Sequence, residues 1–175
     1  FDDDYHDGVV QQAARSALTV KHWDRKEIEN YFIDAHAIWE HVERNSSKKV
    51  GLDEIEAALE GVVAHLVKKI PAQIGQNYLL ADRKLALQTA LDRAEEFIAK
   101  RRAQGATDLD LVSGKQVLST LSGHCQEKYG VSFSATTICR ALDIRLVPQP
   151  IIDTLMNVCP GEMARATGEH DLTHR

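Results

Sequence analysis

The chain has 175 residues, of which 43% are hydrophobic and 27% charged, with a net charge of −5 and a pI of about 5.9. These values are typical of one globular domain with a buried core, and they exclude wholesale disorder. The acidic balance argues against an autonomous nucleic-acid-coating module, which is usually basic. It does not argue against an enzyme that cuts nucleic acid, because bound divalent cations add local positive charge.

The cysteine content and the hydropathy indicate the compartment. Cys125, Cys139 and Cys159 are odd in number and widely spaced, which favours a reducing compartment and neither a disulfide framework nor a zinc site. No stretch of the sequence approaches 18 apolar residues, the length that a membrane-spanning helix needs. We therefore expect a cytoplasmic protein that has no membrane partner.

The beginning of the chain predicts α/β structure. Residues 1–4 are typical of a strand end, residues 7–18 carry apolar side chains at helical spacing, and residues 19–23 alternate as in a short strand. Strand, helix and strand in this order predict part of a compact unit with parallel strands. Because Phe1 leads directly into a run of acids, we expect the protein to continue upstream.

From Asp24 onward the pattern is helical. Asp34 is placed to cap a helix that runs to about Arg44, and Asp53 to cap one that runs to about Ile70. Pro71 marks the point at which that second helix must stop or kink.

The remaining apolar periodicity predicts further helices over residues 82–102, 114–129, 134–142 and 148–158. Residues from Pro160 onward lack periodicity, which predicts a flexible tail. The expected fold is mostly helical overall. It comprises an α/β part over residues 1–34, a helical extension over residues 35–159 and a tail over residues 160–175.

Two pairs of acids are candidate site residues. Asp2 and Asp4 lie two residues apart at a predicted strand end, which places their carboxylates on one side with Cα atoms roughly 6–7 Å apart. Such oxygen ligands suit a hard divalent cation, although an isolated Asp-x-Asp is more often an exposed acidic turn.

Glu27 and Glu29 have the same spacing, but on a helix two residues at this spacing do not lie on the same face. One of them can therefore point towards the Asp pair, with Arg25 near a phosphate; the alternative is a solvated first turn.

Lys115 follows Gly114 at a predicted helix start. A glycine lets backbone or phosphate approach closely, and a lysine there can neutralise charge on a phosphoryl group. The alternative is a helix cap with an exposed lysine. The segment is not a Walker A loop, because the upstream glycine and the following Ser or Thr are absent.

Taken together, these segments resemble the TOPRIM nuclease domain of OLD-family (overcoming lysogenization defect) ATPases and related bacterial anti-phage effectors. The resemblance rests on Asp-x-Asp-Tyr at residues 2–5, on Trp-Asp-Arg-Lys-Glu-Ile-Glu-Asn-Tyr-Phe-Ile-Asp at residues 23–34, and on the Gly-Lys at residues 114–115. The chain departs from the family pattern at His6, where Arg is usual, and at Ala35, where Pro is common. A further TOPRIM glutamate is expected upstream of Phe1.

The resemblance implies hydrolysis of phosphodiester bonds in DNA, with Mg²⁺ or Mn²⁺ as cofactor. Asp2, Asp4 and Glu29 are implied metal ligands, Glu27, Glu29 and Lys115 are implied catalytic residues, and Arg25 is placed near the nucleic acid. An ATPase domain of the same or a partner chain and a homo-oligomer are the implied partners. The isolated chain is expected to be inactive. The alternative is a helical assembly or dimerisation module of an ATPase effector, with no nuclease activity of its own.

Overall fold

The computed structural model describes residues 25–142, 147 and 149–158. They belong to two compact units, residues 1–142 and residues 143–175. Within the described residues the secondary structure is helical and contains no strand, which confirms the expectation of a mostly helical chain. The predicted strands at 1–4 and 19–23 and the helix at 7–18 lie outside the described residues. Residues 25–34, the described end of the predicted α/β part, contain a 3-10 helix and no strand.

The helices of the first unit begin with the 3-10 helix, Ile28–Phe32, and continue as α1 (Ala35–Asn45), α2 (Leu52–Val67), α3 (Ile70–Ala81), α4 (Leu87–Ala103), α5 (Asp108–Leu111), α6 (Gly114–Tyr129) and α7 (Ala135–Ala141). In the second unit, α8 spans Gln149–Val158.

Of the two predicted N-terminal helix caps, Asp34 is confirmed and Asp53 is wrong. Asp34 caps α1 as predicted, since its carboxylate accepts a hydrogen bond from the backbone N–H of Ala37 at 2.7 Å. The prediction that Asp53 caps α2 is wrong, because the helix already begins at Leu52. Gly51 holds the cap position, and the Glu54 carboxylate reaches back to accept from its N–H at 3.2 Å, the reciprocal half of a capping box.

The middle of the chain holds one helix, α3, that the sequence pattern did not predict. Pro71 marks a break as predicted, because α2 ends at Val67 and Pro71 lies in the first turn of α3, where its missing N–H costs nothing. The predicted start of a helix at residue 82 is wrong. Asp82 instead ends α3, since its N–H donates to the carbonyl of Tyr78 at 2.9 Å, and α4 starts five residues later, at Leu87.

α6 is the central helix of the core. Its start and its end are as predicted. Gly130 follows as the cap, with φ 76°, the left-handed conformation that ends helices. One face of α6 is fully buried through Val117, Leu121 and Cys125, at the i, i+4, i+8 spacing of a single stripe. Residues of the neighbouring helices complete this core, among them Ile38, Val42, Ile55, Ile74 and Ile138. The core therefore fixes the direction in which the N-terminus of α6 points.

Candidate functional site

Asn30 is the buried centre of the site. It has no exposed surface, and its side chain makes four hydrogen bonds. Its amide nitrogen donates to the carbonyls of Leu109 at 2.6 Å and Val112 at 2.9 Å, while its amide oxygen accepts from the N–H of Glu27 at 3.1 Å and of Gly114 at 3.2 Å. An asparagine side chain offers two donors and two lone pairs, so its capacity is used in full. Asn30 thereby joins the 3-10 helix to the start of α6.

Gly114 is required by this junction. A Cβ at this position would lie 2.6 Å from the backbone nitrogen of Asn30 and 2.8 Å from its side-chain oxygen. Backbone atoms cannot move aside cheaply, so a residue with a side chain would separate the two segments. The close approach that the sequence predicts at this glycine is therefore found, and the group that approaches is backbone.

Glu27 acts as a cap supplied from outside the helix. The residue is buried, with 8% of its surface exposed. Both of its carboxylate oxygens lie 2.9 Å from the hydroxyl of Ser113, which donates. One oxygen also accepts from the backbone N–H of Lys115 at 3.0 Å. The N-terminus of a helix carries partial positive charge and unpaired N–H groups, which a carboxylate stabilises. The structure thus gives Glu27 a positioning contact to the helix that carries Lys115.

Glu29 and Lys115 form the charged part of the site. The ammonium of Lys115 lies 3.8 Å from one carboxylate oxygen of Glu29, and the two side chains are 57% and 18% exposed. The other oxygen, Oε2, is buried and has no hydrogen-bond partner among the described residues. A buried carboxylate oxygen without a partner is costly and requires an explanation. A cation bound against it would supply one.

Cys139 on α7 is an electrostatic neighbour of Glu29. Burial is the main cause that raises the pKa of its thiol, and the negative charge of Glu29 raises this pKa further. The thiol therefore stays neutral near pH 7, and it does not compete with Glu29 as an anionic ligand.

Arg25 is held by the protein on several sides. Its Nε lies 2.9 Å from a carboxylate oxygen of Asp110, and its Nη1 donates to the backbone carbonyl of Asn30. Its guanidinium carbon lies 4.8 Å from the centre of the Tyr31 ring. The side chain keeps about a third of its surface exposed, 32%. A contact between Arg25 and nucleic acid remains a prediction, and this exposed third is the surface available for it.

The predicted metal site is covered only in part by the described residues. Asp2 and Asp4 lie outside them, and no group of three or more His, Cys, Asp or Glu side chains within them is arranged to hold a metal ion. The unpartnered oxygen of Glu29 is the feature that fits a divalent cation, which prefers carboxylate oxygens. The oxygens of Glu27 fit less well, because both are already engaged. A metal site with three or more such side chains would therefore need ligands from outside the described residues.

Sequence reasoning named Glu27, Glu29, Arg25 and Lys115, and the structure brings these four residues into one region. It did not identify Asn30 or Ser113. Ser113 carried a usable signal, since a serine directly before a helical pattern is a preferred cap. Asn30 carried a local signal only for its hydrogen bond to the N–H of Glu27, three residues away. Its other partners, Leu109, Val112 and Gly114, lie about 80 residues away along the chain, where no local pattern indicates them.

Comparison of the chain with protein-family models, with curated proteins and with solved structures finds no match. No helix within the described residues combines the length and the hydropathy that crossing a bilayer requires.

Proposed function

We propose that the chain is part of a cytoplasmic, divalent-metal-dependent DNA endonuclease that is attached to an ATPase domain and serves in bacterial phage defence. Asp2, Asp4 and Glu29 would hold Mg²⁺ or Mn²⁺. The observation that carries the proposal is the buried, unpartnered oxygen of Glu29 beside the ammonium of Lys115. A carboxylate oxygen that lacks a partner, next to a positive group suited to a phosphate, is a pairing suited to hydrolysis of a phosphodiester.

Each described residue then has a separate task. Glu29 would be one of the ligands that hold the metal, and a bound metal would supply activation of water and positive charge at the phosphate. Lys115 adds positive charge at the scissile phosphate from the first turn of α6. Glu27 and Asn30 position Lys115, because they bind the N–H groups at the start of the same helix. Of the two glutamates predicted to be catalytic, the geometry favours Glu29 for the metal and Glu27 for positioning.

The test is metal-dependent cleavage of DNA by the full-length protein, measured with Mg²⁺ and with Mn²⁺. Glu29→Gln and Lys115→Met are each expected to lower the cleavage rate by about a hundredfold or more, the usual effect of removing one charged group that stabilises the transition state. The melting temperature is expected to change little. Glu56→Gln, at an exposed position on α2, is the matched control and keeps full activity.

The acids outside the described residues are tested in the same assay. Asp2→Ala and Asp4→Ala are expected to abolish cleavage and to weaken metal binding in a titration of the folded protein. Unchanged cleavage in both variants, with folding intact, would remove the proposal. Cleavage that proceeds at the same rate in a chelator would remove it as well.

A second candidate function is a helical assembly or dimerisation module without nuclease activity. It is favoured by the hairpin of α3 and α4, where Leu80 and Leu87 are 69% and 62% exposed on either side of the turn. Two exposed leucines on either side of the same loop suit contact with a second copy of the chain. Light scattering of Leu80→Ser and Leu87→Ser, with Gln88→Ser as control, tests it. A mass equal to that of the unsubstituted protein in all three variants would argue against it.

A further inference from the structure

A cleft of about 320 Å³ lies directly beside Lys115. One wall belongs to α6 and presents Lys115, Leu118, Ser119 and Ser122, and the other belongs to the start of α7 and presents residues 133–135. The cleft is of the size of ordinary small-ligand sites, which combine an apolar lining with a few polar groups. No residue of the proposed catalytic group except Lys115 contributes to it.

The walls of the cleft are fixed by contacts within the protein. The N–H of Phe133 donates to the hydroxyl of Ser122 at 2.8 Å, which ties the segment before α7 to α6. Leu118 is 3% exposed and belongs to the core. The ring of Phe133 also contacts that of His41 edge-on, with centroids 6.3 Å apart. The cleft is therefore preformed.

The lining combines three kinds of group in one place. Phe133 and Ala135 supply apolar surface, Ser119 supplies a hydroxyl at an exposed part of the wall, and Lys115 supplies positive charge at one end. A nucleotide has the matching parts, which are an apolar base face, a polar base edge and an anionic phosphate. Aromatic side chains that stack on bases and cations that contact the backbone are the usual means of binding single strands.

We infer that this cleft binds one unpaired nucleobase of the DNA strand, with Lys115 on the adjoining phosphate. The inference rests on the proposed function, because it makes Lys115 the link between the cleft and the cleavage point. A base inside a duplex is stacked on both faces, so it must leave the stack before it can enter a pocket, and this costs free energy. The preferred substrate is therefore single-stranded or locally unpaired DNA.

The experiment measures binding of a single-stranded oligodeoxynucleotide that contains one fluorescent 2-aminopurine, to the full chain and in EDTA, so that no cleavage intervenes. Ser119→Trp fills the cleft from an exposed position, and Thr120→Trp places the same side chain one residue further along α6, at an exposed position outside the lining. Ser119→Trp is expected to weaken binding about tenfold, the usual scale for losing one stacked base. Thr120→Trp is expected to bind as the unsubstituted chain does.

A second variant tests the ring itself. Phe133→Leu keeps an apolar side chain and removes the aromatic face, and it is expected to weaken binding about fivefold or more while far-ultraviolet circular dichroism stays unchanged. Equal binding by Ser119→Trp and Thr120→Trp would overturn the inference, and so would tighter binding of a duplex than of the single strand.

Failure of the inference and failure of the proposed function give different results. If the full-length protein cleaves DNA with metal while Ser119→Trp changes neither binding nor cleavage, the cleft is not a base site and the nuclease proposal stands. If Ser119→Trp alone weakens binding of the single strand while no metal-dependent cleavage is found, the base site stands and the nuclease proposal falls.

Discussion

The two ends of α6 are both held by polar side chains from distant parts of the chain, but in different ways. At the N-terminal end, Asn30 and Glu27 are buried and bind backbone groups. At the C-terminal end, the carboxylate of Glu54 accepts from the ammonium of Lys128 at 2.8 Å and from the hydroxyl of Tyr129 at 3.0 Å. This second network is open to water, since the Lys128 and Glu54 side chains are 44% and 41% exposed.

The two networks contribute differently to the stability of the fold. An exposed ion pair adds little to stability, because water and salt screen it. A buried and fully satisfied network contributes mainly through the cost of breaking it, since every group left without a partner loses its hydration as well. The N-terminal end of α6 is therefore the rigid end, and it is the end that carries the candidate site.

The largest effect is expected from breaking the buried network at its centre. Asn30→Ala leaves two carbonyls and two N–H groups near the start of α6 without partners, and it is expected to lower the free energy of unfolding by about 3–5 kcal/mol, at roughly 1–3 kcal/mol per unsatisfied group with partial relaxation. Urea unfolding measures this. Asn45→Ala removes an exposed hydrogen bond of the same type and is expected to cost less than about 1 kcal/mol. Equal losses in the two variants would contradict the comparison.

Two glycines of α6 are expected to respond in opposite ways to substitution by alanine. Gly114→Ala places a Cβ against the backbone of Asn30 and is expected to destabilise by about 1–3 kcal/mol, the usual cost of overpacking. Gly123→Ala lies in the same helix with nothing within 4 Å of the added Cβ, and it is expected to stabilise by about 0.5–1 kcal/mol because glycine disfavours helix. Thermal unfolding of both variants checks the opposite signs. A stabilising Gly114→Ala would show that the junction is loose.

The smallest effect is expected at the exposed end and appears as a pH dependence. The hydrogen bond from Lys128, followed by those from the Gly51 N–H and Tyr129, lowers the pKa of Glu54 from 4.5 to about 2. A carboxyl whose pKa is lower when folded stabilises the fold fully above pH 4.5, and this contribution is lost as the pH falls towards 2.

Glu54→Gln removes this contribution, so its melting temperature is expected to lie slightly below that of the unsubstituted chain at pH 6 and to converge with it as the pH approaches 2. Added salt is expected to reduce the difference at pH 6. A difference that is independent of both pH and salt would contradict the assignment of an exposed, charge-based network.

Local rules predicted much of this fold, and long-range contacts explain the remainder. Asp34, Ser134 and Gly130 mark helix ends because each cap acts within a few residues of its own helix. The helix α3 was not predicted, and the start of α4 was placed at Asp82 because an aspartate is equally suited to begin one helix and to end another. The site was predictable as a set of charged residues, but the difference between Glu27 and Glu29 depends on partners from α6, which no local pattern contains.

The hydrogen bonds of Asn30 to Leu109 and Val112 span 79 and 82 residues. In terms of folding, they close a loop that contains α1 to α5, and the entropy of closing it must be offset by the helices packed inside. During synthesis, Glu29 is therefore made well before Lys115, its charged neighbour at the start of α6. The contact between Glu29 and Lys115 can therefore form only after the start of α6 has been synthesised.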